Sequence, residues 1–177
     1  DLIYPREKLQ RMASPTLDSS RKPEQVARLL GLEPGMAVAD VGSGSGYYTW
    51  HFSRAVGPEG SVWATDILLA TLEFTLVRME AEPPPYPNVL LILHDRRDVL
   101  LPSASVDLAF LSNVHYFYDA DHVQSGHSKE EVLRFYRSIH RALGPDGRLA
   151  IIERDTEHDG KVTRDEITEQ LRWAGFE

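Results

Sequence analysis

Residues 37 to 46 read Ala-Val-Ala-Asp-Val-Gly-Ser-Gly-Ser-Gly, an apolar run that ends in three glycines at alternate positions. No other feature restricts the fold as strongly. Glycines let the backbone turn with positive φ and let another molecule approach the main chain closely. The residues that follow, from Tyr47 to Val56, carry a helical pattern. A buried strand, a glycine bend and a helix form the opening half of a β-α-β unit, with the bend at the carboxyl end of the strand, where open α/β sheets bind ligands.

The rest of the chain extends that unit. Apolar runs predict strands over 37–41, 61–65, 89–93, 106–111 and 148–153. Helical patterns fall between and after them, over 47–56, 68–80 and 129–143, with a last helix from about Thr163 to Gly175. This alternation predicts an α/β fold around a parallel sheet. A short helix over 23–30 opens at Pro23 and stops at Gly31. Ser128 with Glu131, and Thr163 with Glu166, read as capping boxes. Gly144-Pro145-Asp146-Gly147 reads as the turn into strand five. The first 20 residues are polar and aperiodic and read as an arm, with Tyr4 and Met12 placed to close over a site; residues 21–177 read as one domain.

Composition narrows the function. Nineteen Lys and Arg against 27 Asp and Glu leave a formal charge of −8, which argues against docking on nucleic acid through a basic face. With no cysteine there is no disulfide, thiolate metal site or cysteine nucleophile. The seven histidines lack metal-ligand spacing, so no metal is expected. No apolar run has the roughly 20 residues that span a bilayer; residues 1–6 do not read as a secretory signal, and removal of a leader before Asp1 stays open. A cytoplasmic protein without membrane or nucleic-acid partners is the expectation.

The glycine bend admits two readings. A dinucleotide fingerprint requires Gly-x-Gly-x-x-Gly. Counting from Gly42 the third position is Tyr47, and from Gly44 it is Thr49, so the fingerprint fails. What stands here is Asp-x-Gly-x-Gly-x-Gly. A fixed carboxylate at Asp40 suits a ligand bearing an ammonium group and repels phosphate. The pattern resembles motif I of the class I S-adenosylmethionine-dependent methyltransferases, and the likeness runs from about Arg21 to the C-terminus. It implies a three-layer Rossmann-like sandwich with a mainly parallel sheet in the order 3-2-1-4-5. The given sequence stops where the family's antiparallel strands six and seven would begin, so either it is truncated or another chain completes the sheet, with the edge of strand five as the expected homo-oligomer surface.

The resemblance also assigns residues. Asp40, Gly42, Ser43, Gly44 and Gly46 form the cradle for S-adenosylmethionine. Asp66, at the tip of strand two, takes the ribose hydroxyls, with capping of the next helix as its alternative role, and Ile67 lies beside the adenine. Asp95, or Asp98 three residues later, faces the adenine amino group. Asn113, at the end of strand four, belongs with the cofactor-binding residues.

His115 is the candidate general base, because imidazole titrates near neutral pH; packing at a helix start is the competing role. Tyr116, Phe117 and Tyr118 could wall the acceptor pocket, and Glu153 faces the acceptor side. Ser112-Asn113-Val114-His115 stands where amide- and adenine-modifying relatives carry Asn/Asp-Pro-Pro-Tyr/Phe, which points to a small-molecule acceptor. Other readings stay open: a macromolecular acceptor, protein or RNA; a non-catalytic S-adenosylmethionine binder acting through assembly; and a nicotinamide oxidoreductase. The last lacks a Tyr-x-x-x-Lys pair.

Overall fold

A computed structural model describes residues 4–81, 87–114, 128–153 and 163–177. Five strands lie in the order β3-β2-β1-β4-β5, as the sequence predicts, and every pairing described below is parallel. The chain divides into two compact units, Asp1–Leu93 and His94–Glu177. Among the described residues no helix is long and apolar enough to cross a membrane.

The first unit opens with α1 (Arg6–Met12), a 3-10 turn (Pro15–Leu17), α2 (Asp18–Arg21) and α3 (Pro23–Leu29). The aperiodic arm expected from the sequence is therefore largely helical. Helices this short show too few turns for a period to register in the sequence. Then come β1 (Ala37–Val41), α4 (Tyr47–Val56), β2 (Ser61–Asp66), α5 (Leu69–Ala81) and β3 (Val89–Leu93). β1 pairs with β2 from Ala37 opposite Ser61 to Val41 opposite Thr65, and β2 pairs with β3 from Val62 opposite Val89.

Four consecutive residues of β1 are buried. That is the mark of a parallel strand covered on both faces, where alternation gives way to an apolar run. On α4, Tyr48, Phe52 and Val56 recur every fourth residue and are buried, the stripe a helix presents to a sheet. Asn88 fastens the end of α4. Its amide donates to the carbonyls of Ser53 (3.3 Å) and Gly57 (2.7 Å), and its Oδ1 accepts from Ser53 Oγ (2.6 Å).

The second unit contains β4 (Val106–Ser112), α6 (Lys129–Ala142), β5 (Leu143–Ile152) and α7 (Arg164–Ala174). Val132, Phe135, Tyr136 and Ile139 of α6 are buried, at the i, i+3, i+4, i+7 spacing of a one-sided helix. Both expected capping boxes form, on Ser128 with Glu131 and on Thr163 with Glu166. α7 ends on Gly175 at φ +105°, a left-handed stop.

β5 differs from expectation. It begins at Leu143, which pairs with Val106, and the next pairing is Arg148 with Leu108. The Gly144–Gly147 stretch read as a turn is thus an irregularity inside the strand. A chain that leaves the ladder for a few residues and rejoins it is a bulge, and its glycines and proline look the same in sequence as a turn.

Candidate cofactor site

Every residue of the bend is positioned by the first unit. Gly42, Gly44 and Gly46 take φ values of +72°, +56° and +70°, all in the region that disfavours a Cβ. The amides of Gly42 and Ser43 both donate to the carbonyl of Thr65, at 2.8 and 2.9 Å, which ties the bend to the end of β2. From the other side α5 holds the bend's carbonyls. Thr75 Oγ1 donates to Gly44 O at 3.1 Å, and Arg78 Nη1 donates to the carbonyls of Ser45 and Gly46 at 3.3 Å each. At Gly46 a Cβ would lie 2.7 Å from Thr75 Cγ2, so this glycine is demanded by the helix packed on it. Gly44 meets Met12 Cε at 3.4 Å from the same notional point.

Two carboxylates flank the bend. Asp40 is 3% exposed and accepts a 2.5 Å hydrogen bond from Thr49 Oγ1. Burial pushes its carboxyl up to about 6; the Thr49 hydroxyl opposes the shift, and the negative charge of Asp66 adds to it. Asp66 is 6% exposed. Its Oδ2 accepts from the Gly44 amide and its Oδ1 from the Leu68 amide, both at 2.9 Å. One carboxylate thus braces the bend and caps the approach to α5, the second of the two roles open for it in the sequence. Ile67 beside it is half-buried.

The residues present fit a polar, cationic nucleoside. Ser43 Oγ and Thr65 Oγ1 are buried with no hydrogen-bond partner among the described residues, a condition that favours binding of a ligand able to pair with them. The glycines leave the main chain accessible, and two buried acids supply negative charge within one short bend. Sequence reasoning overlooked Thr49, Thr75 and Arg78. Thr49 was findable as the hydroxyl nine residues beyond Asp40, one turn into the helix. The roles of Thr75 and Arg78 depend on how α5 packs, which no local pattern records.

In the second unit Asp95 Oδ1 accepts from the amides of Arg97 (2.6 Å) and Asp98 (3.0 Å), closing a local turn on an exposed side chain. Asp98 is engaged differently. Arg141 reaches both of its oxygens, Nη1 at 2.9 Å and Nη2 at 2.7 Å, and this pairing leads the effects that hold the Asp98 carboxyl below its usual range. Asn113 is exposed at φ +55°, and its amide donates to Ile152 O at 2.8 Å. Asparagine tolerates this left-handed conformation better than most residues. His115, Tyr116, Phe117, Tyr118, His122 and His127 lie outside the described residues. Among the described residues no cluster of acids and histidines is placed to hold a metal ion.

The sheet order and the glycine bend at the end of β1 define a Rossmann-like α/β protein. Comparison with known proteins carries this further. The family described as "Methyltransferase domain" matches residues 38–147, more than half of the chain, and the chain belongs to that family. A curated relative, the tRNA (guanine-N(7)-)-methyltransferase of Rubrobacter xylanophilus, is 26% identical over 162 residues, which cover 89% of this chain and 63% of the relative. This chain thus spans less than two thirds of that relative's length.

Among solved structures, an S-adenosylmethionine-dependent methyltransferase from Aquifex aeolicus is similar with a TM-score of 0.80 and 25% identity, covering 98% of this chain and 89% of its own. The 4+2 cyclase SpnF is similar with a TM-score of 0.69 and 20% identity, covering 88% and 56%; this likeness concerns the fold alone. S-adenosylmethionine is the cofactor expected of a member of this family.

Proposed function

We propose that the first unit binds S-adenosylmethionine and that the protein transfers its methyl group to a small-molecule acceptor. One observation carries the reading: a glycine bend flanked by two buried carboxylates, Asp40 and Asp66, beside two buried hydroxyls without partners among the described residues. Asp40 would face the ammonium group and Asp66 the ribose hydroxyls. Asp40 also explains the preference over a dinucleotide, whose pyrophosphate it would repel. When bound, the cofactor supplies a methyl group on a positively charged sulfur. The chain's contribution is orientation and exclusion of water, the largest share of catalysis in a displacement of this kind. We assign His115 as the base for acceptors that must lose a proton, and Asp95 to the adenine edge.

The experiment is a transfer assay with methyl-labelled S-adenosylmethionine against a panel of small hydroxyl, amine and thiol acceptors. Label in at least one product, lost in Asp40→Ala, is the expected result. A second acceptor class, tRNA, is favoured by the curated relative's name and opposed by the formal charge of −8, since phosphate-backbone binding rests on basic residues. Bulk tRNA in the same assay separates the two. Cofactor binding without label in any acceptor would instead support the non-catalytic reading.

A further inference from the structure

We infer that the N-terminal helices are a latched gate on the cofactor site: Tyr4 and Met12 stand over the bend, and Asp18 and Arg21 fasten the segment to α4. The inference rests on the cofactor reading above and adds residues lying outside the matched family region, 38–147.

The covering contacts come first. Met12 Cε lies 3.4 Å from the point where a Cβ on Gly44 would sit, so this methyl group packs directly against the bend. At the neighbouring carboxylate, burial and then the negative charge of Asp66 hold the Tyr4 hydroxyl above its ordinary range. The segment thus touches the bend at Gly44 and lies within electrostatic reach of Asp66.

The latch comes next. Tyr47, the first residue of α4, donates its hydroxyl to Asp18 Oδ1 at 2.5 Å, and the Arg21 guanidinium lies 4.8 Å over the Tyr47 ring. Arg21 Nη1 also donates to the Met12 carbonyl at 3.1 Å, linking the latch to the cover. His51 Nε2 stands 4.0 Å from Asp18 on the next turn of α4.

The segment is weakly seated otherwise. Leu9 of α1 and Ala13 just after it are the buried residues of this segment among those described, and neither the 3-10 turn nor α2 has any. Between α2 and α3 the chain turns at Lys22, φ +45° and ψ +56°, followed by Pro23. Few buried apolar contacts and a sharp joint are the features of an element that opens while the rest stays folded. A nucleoside that reaches Gly44 and Asp66 has to lift the segment, so the latch sets the rate of cofactor exchange.

Stopped-flow binding of S-adenosylhomocysteine, followed by tryptophan fluorescence, tests the gate on the full chain. Asp18→Ala and Tyr47→Phe each remove the latch hydrogen bond, and the second keeps the ring. Both association and dissociation are expected to accelerate together, roughly three- to tenfold, the size of one lost hydrogen bond. The affinity then changes less than either rate. Rates within twofold of wild type in both variants would overturn the gate while leaving the cofactor reading intact. A wild-type chain that binds neither S-adenosylhomocysteine nor S-adenosylmethionine would bring down the cofactor reading and the gate with it. Met12→Ala, which thins the cover without touching the latch, is expected to accelerate association; an unchanged rate counts against the gate.

Discussion

Asp40→Asn is the most informative single change, because it alters a charge while keeping a shape. The carboxyl is fully buried and titrates near 6, compared with 3.8 for an ordinary aspartate. The folded state therefore holds a proton that the unfolded chain releases between these values. Over that window the folded state binds more protons, so stability falls as pH rises. A shift of about two pKa units corresponds to about 3 kcal/mol over the full window, and about 2 kcal/mol of it falls between about pH 4.5 and pH 7.5. Asparagine can still accept from Thr49 Oγ1 and carries no charge. The variant should gain about 2 kcal/mol relative to wild type as pH rises across that range. Guanidinium unfolding of both proteins at matched pH values measures this difference directly. Parallel stability profiles would refute the argument that burial holds this carboxyl up. The same substitution should weaken S-adenosylmethionine binding, and wild-type affinity should itself decline below about pH 6, where a proton competes with the ligand's ammonium group.

Three further outcomes are expected. Asp66→Ala loses two backbone hydrogen bonds, from Gly44 and Leu68, so it should destabilise by about 1–2 kcal/mol in thermal melts and weaken the cofactor by more than about tenfold; unchanged affinity removes the ribose assignment. Gly46→Ala places a Cβ 2.7 Å from Thr75 Cγ2 at φ +70°, for a loss of about 2 kcal/mol or more. Adding Thr75→Ser, which keeps the hydroxyl and deletes that methyl, should restore part of it in the same melts, and no recovery would place the cost in the backbone alone. Calorimetry should show Asp95→Ala weakening the cofactor more than Asp98→Ala, whose carboxylate is already engaged by Arg141; the reverse order would move the adenine contact to Asp98.

Much of the fold was legible because it rests on local signals. β1 and β3 coincide with their apolar runs, and α6 and α7 start at the capping boxes written as Ser128 with Glu131 and Thr163 with Glu166. β5 was misplaced at its start because the Gly144–Gly147 bulge has the composition of a turn. α1, the 3-10 turn and α2 escaped notice because so few turns give no period, whereas α3, equally short, was marked by Pro23 and Gly31. At the site, Asp40, the glycines and Asp66 stood out through spacing. Thr75 and Arg78 did not, since a helix some thirty residues away reaches the bend only through packing. Asp98 shows the converse: a plausible ligand in sequence, it proves in the structure to be bound to Arg141.

The central claim is that the bend from Asp40 to Gly46, with Asp66, receives an adenosyl group carrying an amino acid. Isothermal titration of the purified chain with S-adenosylhomocysteine, and separately with NAD, tests it most directly. Saturable heat with the first at one site per chain, absent with the second and abolished in Gly44→Val, is the expected result. Heat with NAD alone, or an undiminished S-adenosylhomocysteine isotherm in Gly44→Val, would contradict it.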